Sequence, residues 1–209
     1  MALVLDRVRI KRGGRVLVRD LSCRLAPGQS VHLTGPNGCG KSSTLRAVAG
    51  LLPVESGTIH WQADEEPAGP YDTDLVEQRL YIATRPPLEP RLTVRDHLSF
   101  WAGLLHSQAD QVDLLQQIGL LLMADRPVQH LSTGQAQRLS LSRLKLHQGR
   151  LWLLDEPTLG LDAAGKSLLG DWLDQHIATG GMILAASHEP LPGTAPVTDL
   201  SLGQPQVTT

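Results

Sequence analysis

Apolar positions along the chain follow two different rhythms. Leu151-Trp152-Leu153-Leu154 is a continuous apolar run, and residues 182–187 are apolar up to Ser187, which predicts two strands buried on both faces. Residues 94–106, 110–124 and 164–177 space their apolar positions by three and four, which predicts amphipathic helices. Residues 3–11 and 16–25 read as strands joined by a turn at Gly13-Gly14. The alternating stretch Ser30-Val31-His32-Leu33-Thr34 follows the Pro27-Gly28 turn as another short strand. A helix over 43–52 is then expected, with Pro53 as its stop, and a turn and strand over 55–61. Residues 62–74 read as a loop and 80–83 as a strand. Pro86-Pro87 and Pro90 open a helical segment up to residue 147, expected to have a small core of its own. Gly180-Gly181 ends the last predicted helix.

Composition narrows the class. The 209 residues suffice for one large or two small domains, and 41% hydrophobic with 19% charged residues is ordinary for a soluble globular chain. A net charge of −2 makes no electrostatic case for nucleic acid. The basic run at residues 7–12 alternates with apolar residues and is expected on the solvated face of an edge strand. Cys23 and Cys39 suggest neither a disulfide framework nor a metal site, which fits a reducing cytoplasm. No stretch approaches the ~20 apolar residues of a membrane span, and residues 1–7 reach charge too early for a signal peptide. The expectation is a cytoplasmic chain that meets a membrane only through partners.

Between the strand at 30–34 and the next helix stand Gly35-Pro36-Asn37-Gly38-Cys39-Gly40-Lys41-Ser42-Ser43. The first eight match the phosphate-binding loop G-x-x-x-x-G-K-[ST] at every fixed position. Bare glycines let backbone N–H groups surround an anion at a helix N-terminus. Lys41 reaches the outer phosphates, and the Ser42 hydroxyl suits Mg²⁺. Cys39 reads as a small filler rather than a catalytic thiol, and alkylating it should block nucleotide access. Further on, Leu153-Leu154-Asp155-Glu156 is an apolar strand ending in two carboxylates. In phosphate-loop ATPases an Asp so placed holds Mg²⁺ through its water shell, so Asp155 joins Ser42 as a metal candidate. Glu156 is the candidate general base for water. Leu131-Ser132-Thr133-Gly134-Gln135 opens a helix that Ser132 can cap, and Gly134 leaves its N-terminus bare as a second anion surface.

With these elements the chain resembles the nucleotide-binding subunits of ABC transporters over nearly its whole length. The resemblance implies an α/β phosphate-loop NTPase of ABC type. Its parts are a mainly parallel core sheet flanked by helices, an N-terminal antiparallel β subdomain and a helical insertion. Residues 1–84 and 148–209 would form the core ATPase subdomain, and 85–147 the helical subdomain with the signature motif. Ser132, Thr133, Gly134 and Gln135 are similar to the family signature Leu-Ser-Gly-Gly-Gln, with Thr133 replacing its first glycine. Asp162 in Gly160-Leu161-Asp162 resembles the D-loop, and His188 in Ser187-His188-Glu189 the switch histidine. The family pairs two subunits head to tail around two ATP molecules, each signature facing the partner's phosphate loop. This implies ATP and Mg²⁺ as ligands and catalytic roles for Lys41, Glu156 and His188.

Two positions depart from that pattern. Arg85 stands where the family usually has Gln, and a guanidinium cannot ligate a metal. Arg85 is expected to contact phosphate or a carboxylate, with hydrolysis slow or differently coupled. Ile10-Lys11-Arg12-Gly13 lacks the family's adenine-stacking aromatic, leaving Arg12 as a stacking candidate.

A finer similarity is to the CcmA group, the ATPases of cytochrome c maturation (haem exporter) complexes. It rests on segments such as Leu151-Trp152-Leu153-Leu154-Asp155-Glu156-Pro157 and Ser187-His188-Glu189-Pro190-Leu191. That group works on the cytoplasmic face of the bacterial inner membrane, with membrane subunits resembling CcmB and CcmC as partners. The helical insertion would dock on a membrane-subunit helix. Leu98, Phe100 and Trp101 read first as packing inside the insertion and second as part of that docking surface. The alternatives are an ATPase subunit of another small exporter (drug, peptide or lipid), a soluble ABC ATPase of DNA repair or translation, and a regulatory subunit that hydrolyses little.

Overall fold

The computed structural model describes residues 1–62, 67–68, 78–85 and 87–203. Its strands sort into two sheets by the company each must keep. β1 (Ala2–Arg12), β2 (Arg15–Leu25), β4 (Ser56–Gln62) and the two-residue β5 (Pro67–Ala68) form an antiparallel sheet in the order β2-β1-β4-β5. Gly13 and Gly14 both have positive φ, 57° and 79°, as a two-residue hairpin turn requires. β1 is therefore flanked on both sides, and the basic run at 7–12 does not lie on an edge strand. Its charges are solvated across the pleat instead, with Arg9 and Lys11 3.2 and 3.4 Å from Glu55. β5 lies inside the segment expected as a loop; the rest of 63–74 is outside the described residues.

The second sheet is parallel, in the order β6 (Arg79–Ile82), β7 (Leu151–Asp155), β8 (Met182–Ala186), β3 (Ser30–Thr34), β9 (Val197–Ser201). Every residue of β7 and β8 is buried, as the continuous apolar runs predict. The pleat deals alternate residues to two cores. Val31, Leu33, Leu151, Leu153, Met182 and Leu184 face the antiparallel sheet and α1 (Lys41–Val48). Leu80, Ile82, Trp152, Leu154, Ile183 and Ala185 face the other way, toward the helices.

The helical segment contains α2 (Val94–Leu104), α3 (Gln111–Gln117), α4 (Thr133–Leu141) and α5 (Arg143–Leu146); α6 (Ala163–Ala178) follows β7. Its buried residues, among them Val94, Leu98, Leu115, Ile118 and Leu139, join one cluster with Trp152, Leu154 and Trp172. The expected separate core is thus continuous with one face of the parallel sheet, because that apolar face has to be covered. Leu98 is buried, Trp101 packs half-buried on the cluster beneath the Arg143 guanidinium, and Phe100 is 56% exposed.

Helix ends fall where a residue adopts positive φ. Gly50 (φ 75°) ends α1 at Val48, before the expected stop at Pro53, and Gly119 (φ 69°) splits the helix expected over 110–124. At both ends paired bonds close the helix: Leu51 and Gly50 N–H donate to the Arg46 and Ala47 carbonyls, Leu120 and Gly119 to those of Leu115 and Gln116.

Candidate functional site

Parallel strands end on one edge, where the candidate residues gather. Leu33 pairs with Ala186, and Ala186 with Asp155. The phosphate loop, Asp155-Glu156 and Ser187-His188 therefore leave the sheet side by side, at the carboxyl ends where open α/β sheets bind ligands.

The phosphate loop depends on its glycines. A Cβ on Gly35 would lie 2.6 Å from the Leu202 carbonyl oxygen, and one on Gly40 2.5 Å from Val18 Cγ2. Both have φ beyond +100°, a region L side chains rarely adopt. Gly40 caps α1, so the first N–H groups of that helix lack intrahelical acceptors and face the loop. Lys41 is buried, and its ammonium folds back to donate to the Gly35 and Pro36 carbonyls at 2.7 and 3.4 Å. Cys39 is half-buried within the loop.

Asp155 is 2% exposed at the end of β7 and is held from two sides. The Ser42 hydroxyl donates to Oδ1 at 2.8 Å, and the Tyr81 hydroxyl to Oδ2 at 3.2 Å. Arg46 Nε donates to the Tyr81 oxygen at 3.4 Å, joining α1, β6 and β7 in one network. Burial raises the Tyr81 pKa, and the Asp155 charge adds to the effect, so the hydroxyl remains a donor. These are oxygen donors only, and among the described residues no cluster of three or more His, Cys, Asp or Glu forms a metal cage. The donor set fits Mg²⁺, which takes few protein oxygens and completes its shell with water and phosphate.

Glu156 has φ 53°, left-handed backbone that costs a non-glycine residue roughly 1–3 kcal/mol. Its N–H donates to the Ala186 carbonyl at 2.7 Å, which fixes that conformation. The carboxylate accepts from the His188 backbone N–H at 3.3 Å and lies 3.5 Å from His188 Nε2. Carboxylate and imidazole thus stand together beside the phosphate loop.

Ser132 caps α4 in a reciprocal box with Gln135: its hydroxyl accepts from Gln135 N–H, and Gln135 Oε1 accepts from Ser132 N–H. A Cβ on Gly134 would sit 2.8 Å from the Gly160 carbonyl, and one on Gly160 3.2 Å from Thr133 Cγ2. The signature segment is therefore packed directly on the D-loop segment. Asp162 ends that segment as the cap of α6, accepting from Gly165 N–H at 2.8 Å. Gln137 Nε2 donates to the Pro157 carbonyl at 3.3 Å, a second link from α4 to the segment that follows β7 and carries Glu156.

Arg85 is exposed, and no carboxylate among the described residues pairs with it. Arg12 is also exposed, at the tip of the β1–β2 hairpin. On that hairpin Val18 Cγ2 and the half-buried Leu17 Cβ would lie 2.5 and 3.4 Å from a Cβ on Gly40, so β2 packs against the end of the loop. Sequence reading missed Tyr81. A polar-tipped residue within a strand leading toward the carboxylate edge was the available signal for Tyr81.

The sequence profile of the ABC transporter family matches residues 18–159. The chain belongs to that family. A cytochrome c biogenesis ATP-binding export protein, CcmA, of Nitrobacter winogradskyi is 41% identical over 192 residues, covering 91% of this chain and 94% of its own. The protein of that name from Rhodopseudomonas palustris is 40% identical over 88% of this chain and 90% of its own, and that from Sodalis glossinidius 38%. A Pyrococcus furiosus ABC transporter ATP-binding protein superposes with TM-score 0.80 at 18% identity over 97% of this chain. An ATP-binding subunit of another ABC transporter does so with TM-score 0.77 at 25% identity. This ABC domain binds nucleotide and is an ATPase of the transport-coupled type. Among the described residues no helix is long and apolar enough to cross a membrane.

Proposed function

We propose that this chain is the ATP-hydrolysing subunit of a membrane ABC complex that serves cytochrome c maturation through haem handling or export. The observation that carries the reading is identity near 40% with cytochrome c biogenesis ATP-binding export proteins over about nine-tenths of both chains. Its partners are then a second copy, head to tail, and integral membrane subunits resembling CcmB and CcmC. Its place is the cytoplasmic face of the bacterial inner membrane. Exposed Phe100 and Leu104 on α2 suit the docking of a membrane-subunit helix.

The site geometry supports an in-line hydrolysis in which positioning and charge do most of the work. On nucleotide binding Lys41 exchanges its two loop carbonyls for the β- and γ-phosphates, a stronger pairing of opposite charges. Mg²⁺, when bound by Ser42 and by Asp155 through water, supplies neutralisation of phosphate charge. Glu156 accepts a proton from water, and His188, already against Glu156, donates toward the γ-phosphate. Ser132 and the bare turn at Gly134 present the α4 N-terminus to the nucleotide of the opposite copy. ATP favours the closed pair because its γ-phosphate then has donors from both copies.

The test is a haem stain of membranes from a deletion strain, complemented with wild type or with Lys41→Ala. Loss of covalent c-type haem, restored by wild type alone, is the expected result. Unchanged c-type cytochromes in a strain without a second copy would refute the maturation reading.

A further inference from the structure

β3 places a histidine where a buried parallel strand ordinarily carries an aliphatic residue. Val31 and Leu33 point into the core shared with the antiparallel sheet, so His32 points to the opposite face, where it is 7% exposed. An imidazole buried there is costly unless both nitrogens find partners. Nδ1 lies 3.0 Å from Asp199 Oδ1 on β9, its direct cross-strand neighbour. Nε2 lies 3.0 Å from the Ser187 carbonyl oxygen. A carboxylate and a carbonyl both accept, so a ring nitrogen that carries a proton donates to the one it faces.

The Ser187 carbonyl is where this contact acquires meaning. Ser187 is the first residue beyond β8, and it carries the chain into His188. Its hydroxyl donates to the Glu189 carbonyl at 2.7 Å and accepts from Glu189 N–H at 3.0 Å, closing residues 187–189 into one turn. That turn presents both the His188 N–H and the His188 ring to Glu156. The strands already fix β8 by backbone pairing, up to Ala186. The imidazole reaches past the end of that ladder and ties the turn to β3, the strand that runs directly into the phosphate loop.

We infer that His32 is a positioning residue for hydrolysis, holding the turn at 187–189 so that His188 stays against Glu156 and in line with the phosphate loop. The inference rests on the roles of Glu156 and His188 proposed above. His32 acts through the Ser187 carbonyl, and Asp199 acts through His32.

The experiment compares steady-state ATP hydrolysis by the full chain, alone and with the membrane proteins it retains on purification. Wild type, His32→Leu, His32→Gln, Asp199→Asn and Glu156→Gln are measured side by side, with a melting curve for each. His32→Leu is expected to lower kcat about tenfold, a fraction of what a general base contributes, and to move KM for ATP less than about twofold. His32→Gln, whose amide can donate to the Ser187 carbonyl, recovers most of kcat, and Asp199→Asn falls between wild type and His32→Leu. A kcat for His32→Leu within about twofold of wild type would overturn the inference. So would equal losses in the Leu and Gln variants that follow their melting temperatures. Wild-type turnover no greater than that of Glu156→Gln would overturn the ATPase roles themselves and this inference with them.

Discussion

Tyr81→Phe isolates the hydroxyl that steadies Asp155. The ring stays, so packing is conserved and only the 3.2 Å bond to Asp155 Oδ2 and the 3.4 Å contact from Arg46 Nε are lost. Asp155 is 2% exposed, so water does not readily replace the donor. A hydrogen bond to a charged group contributes about 1.5–3 kcal/mol, and the long donor–acceptor distance argues for the lower end, about 1.5 kcal/mol. For a domain of this size each kcal/mol moves Tm by about 2–4 °C, so the ligand-free protein should melt about 3–6 °C earlier. A second readout follows from geometry. Without the Tyr81 bond the carboxylate is free to turn, and Oδ1 is less well held beside Ser42, 2.8 Å away. The extra thermal stabilisation that Mg²⁺ adds to ATP-bound protein should therefore shrink in the variant, while stabilisation by ATP with a chelator is kept. The assay is a melting series with nothing, ATP plus chelator, and Mg-ATP. A ligand-free Tm within about 1 °C of wild type, with an unchanged Mg²⁺ increment, would refute the reasoning.

Gly134→Ala drives a Cβ to 2.8 Å from the Gly160 carbonyl, so the signature turn must move off the D-loop segment. ATPase turnover is expected to fall at least about tenfold with nucleotide affinity of the isolated chain unchanged, measured by titration and steady-state kinetics. Arg85→Gln is expected to raise turnover or partner stimulation, since an amide can ligate metal or water and a guanidinium cannot; equal rates would contradict this. Burial lowers the His176 pKa from 6.5 to about 4, with the ring stacked on Trp152 at 3.7 Å. The unfolded chain then binds more protons between those values, so stability is present above about pH 6.5 and is lost as pH falls toward 4. His176→Phe should flatten the decline of Tm with acid over that window; an identical slope in both proteins would count against it.

Local chemistry is legible in the order of residues alone. The spacing of Gly35, Gly38, Gly40, Lys41 and Ser42 defines an anion-binding turn because only bare backbone and a lysine can do that work at those positions. Uninterrupted apolar runs at 151–154 and 182–186 require strands covered on both sides. The capping signal at Ser132 is local too, and it forms a reciprocal box as Thr93 does at the start of α2. Helix ends are less legible. Gly50 and Gly119 resemble tolerated interior glycines in one dimension, and only the left-handed backbone with its paired bonds shows that they are stops.

Tertiary structure decided what depends on distant segments meeting. That β1 is central rather than an edge follows from its pairing with β4, far along the chain, which no local pattern encodes. Helical insertion and parallel sheet share one core because each has an apolar face that the other covers. Tyr81 bound to Asp155, and His32 set between Asp199 and the Ser187 carbonyl, are side chains of ordinary strands in the sequence. Their roles exist only where strand register brings a donor to a buried acceptor, and register is a property of the folded sheet.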